Sequence, residues 1–314
     1  ALPTIKLLLI GNDAEYEELI QQIEKNPQLG YKISFWLKNE TEAEMKNLSQ
    51  IIADNSIDSL VLPLIFKREQ GLAQIIFKNI SPSLEIINLP QLYERVFQKL
   101  PLSSLGEVWF IENISKGKKS IYELIKKIID IAFSLIVGLI LLPLSVIIIF
   151  LIKLTSPGGP VIYNQTRVGK NSREFTLYKF RTMIPDAETK GPNWTLPNDS
   201  RIIKVGKILR RTHLDEIPQL INILKGNLSL IGPRAESLVL VNIYQKKLPY
   251  YKIRYLIKPG ITGWAQINYK PSASIEEAYE KLQYDIYYLK NRSFVLDFLI
   301  ILKTIKYLFV SRLS

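Results

Sequence analysis

The chain has 314 residues, too many for one ordinary core, and 47% of them are hydrophobic, which excludes a disordered chain. It contains no cysteine and a single histidine, His213, so disulfides, thiolate zinc sites, a cysteine nucleophile and multi-histidine metal sites are excluded. The net charge of +12 divides into −2 over residues 1–120 and +14 over residues 121–314, which favours an anionic membrane surface or phosphorylated ligands over general nucleic-acid binding.

Alternating strands and helices are predicted for the first 112 residues. Apolar runs typical of buried strands alternate with polar stretches typical of helices. The predicted strands cover residues 4–10, 31–37, 59–65 and 84–90, and the predicted helices cover residues 14–25, 42–54 and 70–79. This order predicts a parallel sheet with covering helices, so we assign residues 1–114 to an α/β, Rossmann-like domain.

The first turn of this domain bears on cofactor binding. It contains one glycine, Gly11, whereas a dinucleotide fingerprint needs three, for the turn, the approach of the pyrophosphate and helix packing. A structural or regulatory domain is therefore favoured over a cofactor-binding one. Only a short apolar strand follows Lys6, so we expect no signal peptide at the start of the sequence.

A basic linker is predicted over residues 115–127. It carries five lysines, namely Lys116, Lys118, Lys119, Lys126 and Lys127. Lysines at a membrane boundary attract anionic lipid headgroups by about 1 kcal/mol each. A solvated charge run is the alternative, and the sequence leaves both interpretations open.

A membrane element is predicted over residues 128–155. Its uncharged part, residues 131–152, would span about 33 Å as a straight helix, which is enough for one crossing. However, Pro143 lies in the middle, where it should kink the helix, and positive charge flanks both ends. A re-entrant helix that enters one leaflet and returns is therefore favoured over a plain crossing. Its break should be covered by protein.

The remaining residues, 156–314, are predicted to form a mostly helical α+β catalytic domain. Thr212 is expected to cap a helix that carries Asp215 and Glu216 in its first turn and ends at Gly226. Residues 293–312 are amphipathic, which suits a helix lying in the membrane interface, with a core-packed helix as the alternative. The predicted apolar face is formed by Leu296, Leu299, Leu302, Ile305 and Phe309.

The adjacent carboxylates Asp215 and Glu216 follow two arginines, and this combination is typical of a site for phosphate and a divalent cation. A carboxylate such as Asp215 can attack phosphorus, and Mg²⁺ takes one or two carboxylates together with substrate phosphates, which makes Glu216 a candidate ligand. An isolated Asp-Glu pair at the start of a helix more often has no role beyond a favourable interaction with the helix dipole. The side chains expected to neutralise phosphate charge are Lys179, Arg181, Arg210, Arg211 and Arg234.

Four segments resemble the bacterial sugar transferase family, the polyprenyl-phosphate hexose-1-phosphate (monotopic phosphoglycosyl) transferases. They are RRTHLDEIPQLINILKGNLSLIGPRAE, YKFRTM, PGITGWAQIN and YDIYYLKNRSFVLDFLIILKT. The resemblance covers about residues 120–314, and the part before it is similar to the Rossmann-like domain of the large members. Those usually carry four transmembrane helices ahead of that domain. None is present in this sequence, so we expect a shortened or a naturally shorter form.

The resemblance implies a concrete activity. The family transfers a sugar-1-phosphate from a UDP-sugar to polyprenyl phosphate and thereby initiates glycan assembly. The aspartate of its Asp-Glu pair, here Asp215, forms a covalent phosphosugar and releases UMP before the lipid phosphate attacks in a ping-pong scheme. Mg²⁺ is required, with Asp215 and Glu216 as its expected ligands. The phosphate-binding arginines fall on Arg210 and Arg234.

The family's membrane helix is re-entrant and broken at a proline, here Pro143, with the catalytic domain on the cytoplasmic face of the bacterial inner membrane. The expected partners are therefore the UDP-sugar, the polyprenyl phosphate and inner-membrane lipids, with a homodimer as in large members and no nucleic acid. His213 departs from the serine that members often have. Further candidate site residues are His213, Gln219, Glu236 and Asp285.

Three other functions compete with this prediction. A non-catalytic, membrane-anchored module that senses or binds a nucleotide would have the same charges but no turnover. A membrane hydrolase would need His213 as its base, and the sequence has no nucleophile elbow such as GxSxG. A nucleic-acid binder would rest on the positive charge alone, since no DNA- or RNA-binding motif is recognisable.

Overall fold

The structure is a computed structural model that describes residues 4–38, 47–64, 74, 76–78, 81–114, 120–185, 187, 199–269 and 274–310. Several predictions lie outside the described residues: Lys116, Lys118 and Lys119 of the linker, most of the helix predicted over residues 70–79, and the side chain of Phe309. The chain divides into two compact units, Ala1–Lys116 and Gly117–Ser314. The finer division into linker and membrane segment stays a prediction.

The first unit contains a four-stranded parallel sheet in the order β2-β1-β3-β4. The prediction of an α/β domain with a parallel sheet is therefore confirmed. The strands are β1 (Ile5–Ile10), β2 (Tyr31–Leu37), β3 (Ser59–Leu62) and β4 (Glu85–Asn88), and the helices are α1 (Ala14–Lys25), α2 (Leu48–Asp54), α3 (Leu89–Phe97) and α4 (Glu107–Ile114).

The central strands β1 and β3 are buried on both faces of the sheet, because successive strand residues point to opposite sides and both sides are apolar. Leu8 and Leu60 pack into one core with Leu48 of α2, whereas Leu7 and Leu9 pack into a second core with residues of α1 and α3. These five leucine side chains are all fully inaccessible to solvent. Continuous apolar strands therefore specify a sheet covered on two sides.

Helix α3 was not predicted from the sequence. The strand expected over residues 84–90 ends at Asn88, whose side chain accepts a hydrogen bond from the Gln91 amide while the Gln91 side chain accepts one from the Asn88 amide. This reciprocal capping box, with Pro90 in the first turn, begins a helix. The sequence NLPQ contained this signal.

The second unit is predominantly helical. Its strands are β5 (Ile162–Val168), β6 (Glu174–Phe180), β7 (Ser229–Ile231) and β8 (Gly260–Thr262). Its helices are α5 (Ser120–Ile140), α6 (Leu142–Thr155), α7 (Lys204–Thr212), α8 (Gln219–Leu224), α9 (Leu238–Lys247), α10 (Trp264–Asn268), α11 (Ile275–Asn291) and α12 (Phe294–Val310). β5 and β6 form an antiparallel hairpin, and β7 and β8 form a short parallel pair.

The helices α5 and α6 form a bent pair with an angle of 61° at Leu141. Pro143 lies in the first turn of α6, where its missing amide hydrogen needs no intrahelical acceptor, so the expected break at this proline is confirmed. Among the described residues, no single helix is long and apolar enough to cross a membrane, although this bent pair together has the required length and composition.

Helix α12 packs through a narrow stripe and leaves the rest of its apolar surface exposed. Leu296 and Ile300 are buried, whereas Leu299, Leu302 and Ile305 are each more than 40% exposed. The predicted apolar face is therefore divided between the core of the unit and the surface. Core packing is therefore confirmed for one stripe of the helix, and the position of the exposed part in a membrane interface stays a prediction.

Candidate active site

The Asp215–Glu216 pair lies on a single turn of 3₁₀ helix, Leu214–Glu216, between α7 and α8. The expectation that Thr212 caps a helix carrying the pair is wrong. The Thr212 hydroxyl donates back to the Ile208 carbonyl at 2.8 Å and stays within α7, and His213 ends that helix with a left-handed φ of 55°. A backbone reversal at His213, and not a helix start, therefore positions the two carboxylates.

The pKa values of the two neighbouring carboxylates shift in opposite directions. Asp215 is buried, and this burial raises the pKa of Asp215, with the charge of Lys179 opposing the rise and that of Glu216 adding to it. Burial would also raise the pKa of Glu216, but Lys179 and Arg234 outweigh it and the net shift is downward. The Nζ of Lys179, on β6, lies 2.6 Å from Oε1 of Glu216. Glu216 is therefore held as an anion, while Asp215 is the more basic of the two.

Arg210 lies beside Asp215. Its Nε donates to Oγ1 of Thr182 at 2.7 Å, which fixes the guanidinium at the end of β6. Burial lowers the pKa of Arg210, and the nearby Asp215 opposes that change, so the two charges interact. Arg211, the next residue, is exposed. Of the two predicted phosphate-binding arginines in α7, the structure brings Arg210 to the carboxylates.

Arg234 lies on the loop that follows β7, with its side chain exposed and its backbone fixed. The Arg234 carbonyl accepts a hydrogen bond of 2.9 Å from Nη2 of Arg254, and the neighbouring Ala235 carbonyl accepts one of 2.9 Å from Nη1 of Arg167. Two buried or half-buried arginines therefore hold the loop, which leaves the Arg234 guanidinium available beside Glu216.

Glycines allow this loop to pack directly against β8. A Cβ on Gly232 would lie 2.4 Å from the Lys258 carbonyl oxygen, and a Cβ on Gly260 would lie 2.0 Å from the Gly232 nitrogen. Such distances are far below van der Waals contact, so any side chain at either position would displace backbone. β8 therefore supports the backbone of Arg234, which forms a β-bridge with Gly260.

A chamber of about 420 Å³ opens next to the carboxylate pair. Its polar lining includes Glu216 and Arg234 together with three of the further candidates, His213, Glu236 and Asp285. Lys281 and several tyrosines, among them Tyr244 and Tyr251, line the same space. The structure therefore brings candidate residues of the turn between α7 and α8, the loop after β7, and α11 to one cavity with charges of both signs.

Arg181 and Gln219 are placed differently. The Arg181 guanidinium donates to the Ser156 carbonyl and packs against Gly159, in the loop that follows α6. Gln219 is buried as the first residue of α8. Neither residue lines the chamber, and their predicted role in binding substrate stays a prediction.

The model of the bacterial sugar transferase family matches residues 121–311. The chain belongs to this family. The resemblance of its motifs is thereby confirmed, and so, at the level of the family, is the expectation of a transferase enzyme.

Named relatives support the assignment. The chain is 42% identical over 186 residues to a UDP-N-acetylgalactosamine-undecaprenyl-phosphate N-acetylgalactosaminephosphotransferase of Aeromonas hydrophila, an alignment that covers 59% of this chain but only 44% of that protein. It is 40% identical over 187 residues to the exopolysaccharide production protein PSS of Rhizobium leguminosarum bv. phaseoli, covering 58% of this chain and 93% of the relative. A UDP-glucose:undecaprenyl-phosphate glucose-1-phosphate transferase of Escherichia coli K12 is 27% identical over 312 residues, covering 96% and 67% respectively.

Several contacts between buried polar residues of this unit were not predicted. The ion pair between Arg254 and Asp285 joins Nη2 to Oδ2 at 2.8 Å in the wall of the chamber, and the Arg254 Nη1 donates to the Tyr251 hydroxyl at 2.7 Å. Asn222 of α8 clamps β6 by accepting from the Tyr178 amide and donating to the Thr176 carbonyl. No motif marks Arg254 or Asn222, because their partners are distant in sequence and only the fold brings them together.

Asp297 forms a further network that the sequence did not reveal. Its carboxylate accepts hydrogen bonds from the Tyr122 hydroxyl at 2.8 Å and the Tyr288 hydroxyl at 2.7 Å, and it pairs with Nζ of Lys126 at 2.8 Å. This network fastens α12 to α11 and to the beginning of α5. A lone aspartate in an apolar segment was the signal that could have identified it.

The carboxylate pair fits a magnesium ion that is held mainly by substrate. Among the residues that the structure describes, no three acidic or histidine side chains come close enough to form an all-protein site. Two adjacent carboxylates, one of them kept ionised by Lys179, suffice for Mg²⁺, which is commonly bound through one or two carboxylates plus substrate phosphates. Asp215 and Glu216 are the residues that would hold it.

Proposed function

We propose that this chain transfers a sugar-1-phosphate from a UDP-sugar to polyprenyl phosphate, giving polyprenyl-diphosphate-sugar and UMP. The observation that carries the proposal is the pair of adjacent carboxylates with opposite pKa shifts, placed between Lys179, Arg210 and Arg234. Divergent pKa values in one pair are typical of residues with different chemical roles. The names of two of these relatives, from Aeromonas hydrophila and Escherichia coli, specify a UDP-sugar and undecaprenyl phosphate, which supports the same substrate class here.

In the first step, an oxygen of the Asp215 carboxylate attacks the sugar-bearing phosphorus. A phosphorus–oxygen bond forms to Asp215 as the bond to the bridging oxygen breaks, and UMP leaves with that oxygen. Burial favours this step because a poorly solvated carboxylate is more basic and needs less desolvation before attack. Arg210 and Arg234 are placed to neutralise the charge of the diphosphate oxygens with guanidinium hydrogen bonds.

In the second step, an oxygen of the lipid phosphate attacks the same phosphorus. The bond to Asp215 breaks, which restores the carboxylate and forms the new diphosphate linkage between lipid and sugar. Lys179 keeps its ion pair with Glu216 during both steps, so the charge next to the reacting oxygen stays constant. When bound, Mg²⁺ would supply further neutralisation of the phosphate oxygens.

The sugar itself is left open by the relatives, whose names include N-acetylgalactosamine and glucose. The chamber beside Glu216 offers carboxylates, a lysine and tyrosines, and such groups bind sugar hydroxyls of more than one arrangement. A panel of UDP-sugars is therefore the appropriate substrate set.

We further propose that the bent pair α5–α6 enters one leaflet of the inner membrane from the cytoplasmic face and returns. Its support is the 61° break at Pro143, positive residues at both ends, and outward apolar side chains such as Ile136, Leu139 and Val146, each at least 59% exposed. Exposed surface of this kind suits lipid better than water.

The direct test measures UMP release from UDP-sugars in the presence of undecaprenyl phosphate and Mg²⁺. Asp215→Asn should lower the rate by about 10⁴-fold or more, because the nucleophile is lost. Asp54→Asn, an exposed aspartate in the first unit, is the matched control and should retain full rate. Normal turnover by Asp215→Asn would remove the proposed role of Asp215, and absence of UMP release from every UDP-sugar would favour a non-catalytic binding module.

A further inference from the structure

A second cleft of the catalytic unit lies at the beginning of α5, away from the residues that line the chamber. We call it the basal cleft, and its charged lining consists of Glu123, Lys126, Lys127, Asp130, Lys258 and Arg292. These residues come from the start of α5, the loop before β8 and the end of α11. Four of the six side chains are basic.

Most of the opposing charge in the basal cleft is already engaged. Lys126 pairs with Asp297 at 2.8 Å, Arg292 pairs with Glu123 at 2.9 Å, and Oδ1 of Asp130 accepts the Leu230 amide at 3.2 Å. Within the described part of the chain, Lys127 and Lys258 have no carboxylate at ion-pairing distance. Two cations of the cleft therefore lack a carboxylate partner among the residues that the structure describes.

Lys258 also experiences repulsion from its neighbours. Burial lowers the pKa of Lys258, and the charges of Lys127 and Lys170 lower it further, whereas Asp130 and Glu123 oppose the shift. The ammonium groups of Lys127 and Lys170 are thus close enough to Lys258 to repel its charge. A bound anion would relieve this repulsion and keep Lys258 protonated.

The position of the basal cleft indicates which anion it would meet. On α5, the exposed apolar side chains Ile128 and Ile129 follow Lys127 directly, and on α12, Phe294 and Val295 begin two residues after Arg292. Exposed apolar side chains also precede the two lysines on α5, so the cleft forms a boundary between its own basic residues and the outward-facing apolar surface of both elements. In a membrane-bound protein, lipid headgroups occupy this boundary.

We propose that the basal cleft binds the phosphate of an anionic glycerophospholipid through Lys127 and Lys258, with its acyl chains along the apolar surfaces of α5 and α12. The apolar flanks favour a lipid over free phosphate, which would gain nothing from them. This proposal rests on the membrane placement proposed above but not on the transfer chemistry. Such a lipid would stabilise the beginning of the bent helix pair at the bilayer surface.

The test is a lipid titration of the purified full chain in detergent, followed by native mass spectrometry. Phosphatidylglycerol and phosphatidylcholine with identical acyl chains are the two probes. One phosphatidylglycerol should bind selectively, and the double variant Lys127→Gln/Lys258→Gln should weaken it by about 30-fold, as expected for two lysines near a lipid surface. Lys246→Gln/Lys247→Gln, which removes the same charge from exposed positions of α9, should bind like the unmodified chain.

Three outcomes would overturn the proposal. They are equal binding of the two lipids, equal weakening by the two double variants, and displacement of phosphatidylglycerol by millimolar inorganic phosphate, which would identify a phosphate site and not a lipid site. The titration involves no turnover, so its failure leaves the proposed transfer reaction standing. Failure of the chain to associate with vesicles of either lipid would instead contradict the membrane placement.

Discussion

The two units of this chain place polar and apolar side chains in opposite ways. In the first unit, Leu7, Leu9 and Val61 are fully buried in an aliphatic core. In the second unit, charged residues such as Asp215, Arg254 and Asp285 are buried, while long apolar side chains of α5, α6 and α12 face outward. Burial of charge is costly unless the charge is paired, so its concentration in the second unit indicates a functional site.

The two units also differ in what stabilises them. A sheet unit with an aliphatic core gains stability from buried area, and changes there should lower stability without altering phosphate transfer. The catalytic unit instead depends on a few buried ion pairs and hydrogen bonds that hold its loops. Substitutions in the first unit should therefore change stability alone, whereas substitutions in the second unit should change both stability and the rate of transfer.

The largest effect is expected from Arg254→Gln. This change leaves Asp285 buried without its partner and removes the hydrogen bond to the Arg234 carbonyl, so the free energy of unfolding should fall by about 3–5 kcal/mol. UMP release should fall as well. Thermal unfolding and steady-state kinetics measure both. Arg173→Gln, at an exposed arginine, is the control, and equal behaviour of the two variants would contradict the role assigned to Arg254.

A smaller loss is expected from Asp297→Asn. The amide keeps the shape of the side chain but loses the charge that pairs with Lys126 and presents a donor to two tyrosine hydroxyls, which should cost about 2 kcal/mol. Because this network fastens α12 to α5, limited proteolysis should cut near α12 faster than in the exposed control Glu174→Gln. Unchanged proteolysis would show that packing alone holds α12.

In the first unit, Gly11→Ala should destabilise the sheet by about 1 kcal/mol or more without affecting transfer. Gly11 has a φ of 121°, which side chains rarely adopt, and a Cβ there would lie 3.0 Å from the Tyr16 ring. Gly106→Ala meets no neighbouring atom and should change little. A large loss of UMP release in Gly11→Ala would show that the two units are functionally coupled. It would contradict the expectation that substitutions in the first unit change stability only.

The smallest effect is a pH shift on replacing Lys179. The charge of Lys179 lowers the pKa of Asp215 against the effect of burial, so Lys179→Gln should raise that pKa further. Because the proposed nucleophile is the ionised form of Asp215, kcat/KM should begin to fall at a higher pH as the solution is acidified. A pH profile measures this, with the exposed Lys225→Gln as control. A fall that begins at lower pH would contradict the proposed electrostatics.

Most elements of the first unit were predictable because strand and helix periods are local. Residues 14–25 and 31–37 form the predicted helix and strand, and the parallel order follows from their alternation. The helix at Leu89 was missed although its capping box is visible in the sequence, because the apolar run before it was extended as a strand through Pro90.

In the catalytic unit, motifs identified the carboxylate pair but not its support. Asp215, Glu216, Lys179 and Arg234 do come together, as the sequence suggested. Residues 237–257 received no prediction, and they supply α9 and Arg254 to the chamber. The Arg254 partners lie 20 and 31 positions away, at Arg234 and Asp285, so no local pattern could reveal them.

The measurement that tests the account most directly is peptide mapping of the full chain after incubation with a UDP-sugar and Mg²⁺ in the absence of lipid phosphate. We expect one sugar phosphate attached to Asp215, lost when undecaprenyl phosphate is added and absent in Asp215→Asn. Efficient transfer to lipid with no adduct on any residue, or an adduct on a residue other than Asp215, would contradict it.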